Sequence, residues 1–204
     1  PGGPGGPGGT AGGIPTTFAT TNLPKPVASP AIGPDRVFFA IAQNVYCVDR
    51  VSGAQLWKRG VGAQVYSSPV YADGYVYVAG DDGHIHALRA QDGSEDWVYR
   101  LDKGVRSPLT YTNGLLLMGC EDKRIYCLDT KARDLKWAYS TGGAVRAPLS
   151  VWQETVYAVS RDTYLYALSL SGEQRWRVNI GEEECYAAPV VSGDLGAAAA
   201  REVR

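Results

Sequence analysis

The sequence predicts an all-β fold built from a repeated antiparallel unit of four strands and about 40 residues. A tryptophan closes each unit and recurs at a nearly constant interval, as Trp57, Trp97, Trp137 and Trp176. A proline in the first strand recurs at nearly the same interval, as Pro30, Pro69, Pro108, Pro148 and Pro189. Two markers that share one period, with four strands in each period, are typical of the blades of a β-propeller.

Residues 65–104 show the four strands of one unit most clearly. The predicted strands are the short β-rich runs at 67–71, 75–80, 84–89 and 97–101. The turns between them carry Gly together with Asp, which favours hairpins. In the second strand, Val76 and Val78 share one face while Tyr75 and Tyr77 share the other. Both faces are therefore apolar, as expected for a strand buried between two neighbouring blades.

The repeat divides the chain into a linker, four complete blades and partial blades at both ends. The complete blades are predicted at 27–61, 65–101, 104–140 and 145–180. Phe18 stands as far before Pro30 as Trp57 stands before Pro69, so residues 15–22 are the predicted outer strand of an earlier blade. Residues 185–193 are the predicted first strand of a further blade. Residues 1–14 form a Pro/Gly-rich flexible linker, and residues 194–204 form a tail, either a short helix or disordered.

Four blades with partial strands at each end leave sheet edges and apolar blade faces exposed, which favours association. We therefore expect a fragment of a larger ring, or an assembly in which self-association or another chain supplies the missing blades. A four-bladed monomer that closes by itself is the less favoured alternative.

The end of each unit carries a recognisable motif. Residues 47–57, with Asp49, Gly53 and Trp57, resemble the tryptophan-docking motif of quinoprotein dehydrogenases and their relatives, which is Ala-x-Asp-x-x-Thr-Gly, three residues and Trp. Later copies depart from it, because Arg89 replaces the Asp in one and Arg133 replaces the Gly in the next. The resemblance covers residues 15–193 and identifies the PQQ-like β-propeller repeat family.

The resemblance implies a non-catalytic protein-interaction scaffold or a ligand-sensing domain. Similar repeats form an outer-membrane assembly scaffold lipoprotein and kinase-linked sensor propellers, which implies a protein or peptide partner and an extracytoplasmic location. It also implies that the recurring tryptophans, with Phe18 in the same position, are structural. One alternative is a PQQ-dependent quinoprotein dehydrogenase with calcium, but the adjacent cysteine pair of those enzymes is missing. Another is a propeller fragment with no autonomous function.

The candidate binding site consists of residues two positions before the first-strand prolines. They are Ser67, Arg106 and Arg146. If the first strands line the central channel, the two arginines come from adjacent blades and converge at its mouth. Guanidinium groups there could bind a carboxylate or a phosphate. The alternative is a pair of ordinary surface arginines.

Several polar residues have a structural explanation beside a chemical one. His84 and His86 share a strand face that a metal could use, but no third ligand is evident, and we predict no metal site. The turns between second and third strands carry carboxylates that could bind calcium, although turn formation explains them more simply. They are Asp81, Asp82, Glu121, Asp122 and Asp162.

The cysteines indicate buried thiols, with disulfides as the alternative. Cys47 and Cys127 fall at the repeat position that Ala87 and Ala167 occupy elsewhere, so that position is small and buried. The absence of CxxC spacing disfavours a zinc site.

Charge and hydropathy narrow the range of partners. The net charge of −1 over 204 residues predicts no general attraction to nucleic acid. No apolar run approaches the roughly 18 residues of a membrane-spanning helix.

Overall fold

A computed structural model of the chain describes residues 28–181, 188–192 and 195–199. These residues form strands and turns, with four antiparallel four-stranded sheets and a two-stranded sheet, so the predicted all-β blade architecture is confirmed. The predicted linker at 1–14 and the outer strand at 15–22 with Phe18 lie outside the described residues.

Each four-stranded sheet is one blade, and its strands pair in chain order. Blade I contains β1 (Ala31–Ile32), β2 (Arg36–Ile41), β3 (Asn44–Asp49) and β4 (Gln55–Gly60). Blade II contains β5 (Val70–Ala72), β6 (Tyr75–Ala79), β7 (His84–Arg89) and β8 (Glu95–Arg100). Blade III contains β9 (Thr110–Thr112), β10 (Leu115–Gly119), β11 (Arg124–Asp129) and β12 (Asp134–Ser140). Blade IV contains β13 (Ser150–Trp152), β14 (Thr155–Val159), β15 (Tyr164–Ser169) and β16 (Gln174–Asn179).

The core lies between blades, because the middle strands bury both of their faces. Val76 and Val78 pack in one cluster with blade I, and Tyr75 and Tyr77 pack in another with blade III. The short first strands of neighbouring blades contact one another, β1 with β5 and β5 with β9. The first strands therefore converge on the inner side of the arc, where the sequence analysis placed the channel.

The third and fourth strands of every blade share a bulge that positions the recurring tryptophan. The pairing slips by one residue directly after the third-strand position that faces the tryptophan. That position is small and fully buried in all four blades, as Cys47, Ala87, Cys127 and Ala167. Cys47, Cys127 and Cys120 are free buried thiols, as predicted, whereas Cys185 lies outside the described residues.

A second strand follows Pro189, contrary to the expectation of a helical or disordered tail. β17 (Pro189–Ser192) pairs with β18 (Leu195–Ala199) in an antiparallel two-stranded sheet. The alanine run suggested a helix, but a segment this short is below the length at which a helix is stable alone. Pairing with β17 provides its backbone with hydrogen-bond partners instead. The prediction of a tail is therefore wrong for the residues of β18.

Candidate functional site

Blades I and II are joined by the first of the recurring tryptophans. Trp57 is only 9% exposed. Its Nε1 donates a hydrogen bond of 2.9 Å to the carbonyl of Ala90, in the turn between β7 and β8 of the next blade. The ring lies so close to Gly93 of that turn that an added Cβ would be 2.7 Å from a ring carbon. Arg36 donates to the same Ala90 carbonyl at 3.0 Å.

Blades III and IV repeat this arrangement. Trp137 Nε1 donates a 2.9 Å hydrogen bond to the carbonyl of Leu170, in the turn between β15 and β16. A Cβ on Gly172 would lie 2.7 Å from the Trp137 ring. We call the turn between the third and fourth strands of a blade its docking turn. The predicted structural role of Trp57 and Trp137 thus has a defined geometry, an indole held by the docking turn of the following blade.

Blades II and III use a different contact, because Arg133 stands where the docking turn would have its glycine. Arg133 adopts the left-handed backbone conformation that glycine favours, with φ of 59°. Its Nη2 reaches Asp96 at 2.8 Å, and Arg89 pairs with the same carboxylate. Asp96 is buried, with 6% of its side chain exposed. We call Arg89, Asp96 and Arg133 the arginine clasp; beside it, Trp97 packs against Tyr77 at a centroid distance of 5.8 Å.

The predicted site arginines each form a two-point ion pair across a blade junction. Arg106 donates from Nε and Nη2 to the carboxylate of Asp81 at 2.8 and 3.2 Å. Arg146 donates in the same way to Glu121 at 2.6 and 2.7 Å. In both pairs, the arginine precedes the first strand of one blade and the carboxylate lies in the turn between the second and third strands of the blade before. From the sequence, both carboxylates were explained as turn residues, with calcium binding as the alternative, and not as partners of the arginines.

Main-chain hydrogen bonds fix the segments that carry these arginines. Val105 N donates to the carbonyl of Gly80 in the preceding blade at 3.2 Å. Glu121 N, in the following blade, donates to the carbonyl of Gly104 at 3.1 Å. Because the segment is held on both sides, Arg106 projects from rigid backbone rather than from a loose loop.

Ser67 does not accompany the arginines. Its side chain is fully buried, and its Oγ donates to the carbonyl of Ala79 at 3.0 Å. Ser107 makes the same bond to the carbonyl of Gly119, so Ser67 corresponds to Ser107, one position after Arg106. The residue of blade II that corresponds to the arginines is Tyr66, whose ring lies 5.1 Å from the Arg106 guanidinium carbon. Positions 66, 106 and 146 are evenly spaced along the chain, and this spacing would have identified Tyr66.

We define the mouth face by the residues that form this continuous polar rim. They are Tyr66, Asp81, Arg106, Glu121 and Arg146. Hydrogen bonding to Asp81 raises the pKa of Arg106 above its usual value, so its charge is constant at physiological pH. Each guanidinium already has a carboxylate, and an added anion would compete with it. Anion binding by Arg106 and Arg146 stays a prediction.

The two histidines are each bound to a separate carboxylate. His84 Nδ1 lies 2.7 Å from Asp82, and His86 Nδ1 lies 2.7 Å from Glu95. Within the described ranges, no group of three or more His, Cys, Asp or Glu side chains is arranged to hold a metal ion. No helix long and apolar enough to cross a membrane occurs in the part of the chain that the structure describes.

Sequence comparisons show which proteins share this repeat. The sequence profile described as outer membrane protein assembly factor BamB matches two overlapping stretches, residues 19–110 and 41–202. Outer membrane protein assembly factor BamB of Burkholderia pseudomallei (strain K96243) is 42% identical over 48 residues, which are 24% of this chain and 13% of that protein. The chain thus spans a small part of that relative's length.

Solved structures show the same fold. The crystal structure of BamB from Moraxella catarrhalis matches with a TM-score of 0.66 and 19% identity, over 74% of this chain and 48% of that one. The computationally designed Ika8 protein matches with a TM-score of 0.73 and 14% identity, over 83% of this chain and 54% of that one. With the profile match covering most of its length, this chain belongs to the family of the outer membrane protein assembly factor BamB.

Proposed function

We propose that this chain is a non-catalytic scaffold that binds a protein partner through the mouth face, outside the cytoplasm and without a bound cofactor. The observation that carries the proposal is the pair of ion pairs, Arg106 with Asp81 and Arg146 with Glu121, that cross successive blade junctions. They present charges of both signs at fixed positions on one rim. Function resides in such sites rather than in the fold itself.

The chemistry of this rim suits a protein better than a small anion. The Arg106 and Arg146 side chains remain 42% and 30% exposed, so their outer surfaces are available for contact. Tyr66 contributes an aromatic face beside Arg106. Tyrosine and arginine are enriched among the residues that dominate protein–protein binding energy. A partner with its own alternating charges can meet the rim without breaking the internal pairs.

The relatives suggest the class of partner. Both natural relatives are named BamB, the Burkholderia pseudomallei protein is named as an outer membrane protein assembly factor, and neither is named as a dehydrogenase. We therefore propose that the partner is a component of the machinery that assembles outer membrane proteins.

A charge exchange across one pair separates binding from folding. In Arg106→Asp and in Asp81→Arg the pair is replaced by two like charges, and both folding and binding should weaken. The double exchange restores opposite charges but reverses their positions on the rim. We expect it to recover most of the thermal stability while partner binding stays lost.

Site-specific photo-crosslinking in cells measures that binding. A photoreactive amino acid at Tyr66 should capture an outer membrane assembly component, and the double exchange should abolish the crosslink. The control places the same amino acid at Val98, which is 40% exposed on β8, away from the mouth face. Equal crosslinking from both positions, or an unchanged Tyr66 crosslink in the double exchange, would refute the proposal.

A further inference from the structure

Blade II contains a pair of histidines at its junction with blade I. His84 and His86 are the only histidines of the chain. His86 pairs with Val78 across the sheet, so it lies on the face of β7 that packs toward blade I, and His84 lies on the same face. The two ring centroids are 6.1 Å apart. His86 is buried, with 8% of its side chain exposed, whereas His84 is 31% exposed. The pair is therefore anchored at one ring and open to solvent at the other.

Two carboxylates determine which ring nitrogens carry a proton. Nδ1 of His84 lies 2.7 Å from Asp82, and Nδ1 of His86 lies 2.7 Å from Glu95. An ionised carboxylate only accepts hydrogen bonds, so each Nδ1 carries the proton and each Nε2 keeps a lone pair. Nε2 of His86 is buried and has no hydrogen-bond partner among the described residues, which include both blades of this junction throughout. Buried polar atoms nearly always have a partner, so this lone pair is available to a ligand.

The positions of the carboxylates show how the two rings are turned. Asp82 lies in the turn before β7, and Glu95 pairs with Leu88, beyond the other end of the histidine pair. The two nitrogens of an imidazole point in nearly opposite directions. Because each Nδ1 is turned outward to its carboxylate, each Nε2 is turned toward the space between the rings. Two imidazoles on one ion have centroids about 5–6 Å apart, given zinc–nitrogen bonds of about 2.0–2.1 Å. A small rotation of the exposed His84 ring therefore brings both lone pairs onto one ion.

The packing of the blades does not require this histidine pair. In blades III and IV the position of His86 is occupied by Tyr126 and Tyr166. Each tyrosine donates its hydroxyl to a carboxylate of the turn before its own strand, Asp122 and Asp162 respectively. In blade II the histidine pairs with a carboxylate of β8 instead, and the turn carboxylate pairs with the second histidine. Since tyrosine serves the same junction position in two other blades, the histidines of blade II need a different explanation.

We propose that His84 and His86 bind one divalent transition-metal ion of the zinc class through their Nε2 atoms, with water completing its coordination. Asp82 and Glu95 are positioning residues, because each holds a ring in the required tautomer and adds negative charge near the ion. Imidazole nitrogens suit zinc, copper and nickel rather than calcium or magnesium. Two protein ligands are fewer than the four of a structural zinc site, so the ion exchanges with solvent. The sequence analysis predicted no metal site because no third ligand is evident, but an exchangeable ion does not need one.

Histidine-specific nitrogen NMR on the full chain without an affinity tag tests the proposal, because the chain contains only these two imidazoles. Before zinc is added, both rings should show the tautomer protonated at Nδ1. Added zinc should then shift the Nε2 resonances of both histidines along one common binding curve. A shift of His84 alone would indicate an ordinary surface imidazole and would overturn the proposal. Lack of saturation at about 1 mM zinc would also overturn it.

The other blades supply matched variants that keep the fold, which thermal unfolding of each variant checks. His86→Tyr introduces the residue of blades III and IV and should abolish the common binding curve. Glu95→Gln introduces the residue that blade I has as Gln55 and should weaken zinc binding about tenfold, as loss of a second-shell carboxylate does. Asp122→Asn changes the corresponding turn of blade III and should leave zinc affinity unchanged. Unchanged affinity in His86→Tyr, or equal affinities in Glu95→Gln and Asp122→Asn, would overturn the proposal. No partner protein enters these measurements, so this site and the mouth face can fail separately.

Discussion

Substitution of Gly93 by alanine isolates the energy of tryptophan docking at the junction of blades I and II. Gly93 has φ of 72°, and an added Cβ would lie 2.7 Å from Cε3 of Trp57. Gly53, at the same position of blade I, has φ of 70° but no atom within 4 Å of an added Cβ. The two glycines therefore share one backbone conformation and differ in whether an indole is packed against them.

The structure sets the size of the expected effect. Gly53→Ala places a side chain in the left-handed conformation, which should lower the free energy of unfolding by about 1 kcal/mol. Gly93→Ala carries the same backbone cost, and its methyl group also forces the indole away from the docking turn. Overpacking of this kind typically costs a further ~1–3 kcal/mol. We expect Gly93→Ala to be destabilised by about 2–4 kcal/mol in total.

Urea unfolding followed by circular dichroism and tryptophan fluorescence measures both values. Repeating Gly93→Ala in a Trp57→Ala background completes a double-mutant cycle. Without the indole, Gly93→Ala should lower the free energy of unfolding by no more than Gly53→Ala does. Equal losses for the two single variants in the wild-type background would mean that the indole can move freely, and would refute the docking interpretation.

Three further predictions test other parts of the fold. Glu154→Gly should raise the free energy of unfolding by about 1 kcal/mol in urea, because Glu154 has φ of 58° where blade III has Gly114. Asp96→Asn should lower the free energy of unfolding by about 1–3 kcal/mol, since both arginines of the arginine clasp lose their carboxylate partner. Burial raises the pKa of Cys120 and Cys127 to about 12. Since the thiols of the unfolded chain ionise at lower pH than those of the folded chain, the free energy of unfolding should fall as pH rises above about 9. The fall should be smaller in Cys127→Ala. A thiol reagent at about pH 8 should label Cys120 and Cys127 only in urea.

The blade architecture is predictable because it depends on features that every unit repeats. The tryptophan interval, the small residue opposite it and the glycine of the docking turn are each required by the same packing. Cys47 and Ala87 could be assigned to one buried position without coordinates, because both are small and fall at the same place in the repeat, and both are fully buried. Repetition makes such local requirements visible in a single sequence.

The mouth face was harder to predict because it depends on contacts between different units. Spacing measured from the prolines aligned Ser67 with Arg106, one residue away from the true correspondence with Ser107. The partners of the arginines were also not apparent, because Asp81 is explained equally well as a turn residue. Only the tertiary structure shows that Arg106 reaches back 25 residues to it.

The three blade junctions show that the family motif can be replaced without losing the junction. Where Arg133 removes the glycine of the docking turn, the arginine itself contacts the preceding blade through Asp96. The aromatic packing nearer the centre is retained, since Tyr77 stacks on Tyr111 at 6.0 Å in this junction as Phe38 stacks on Tyr71 at 5.5 Å in the first. The inner aromatic contact is therefore kept in both of these junctions, whereas the outer contact is an indole in the first and an ion pair in the second. The motif can therefore degenerate in sequence, as in blade III, while the four-stranded blade and its contact with the preceding blade are kept.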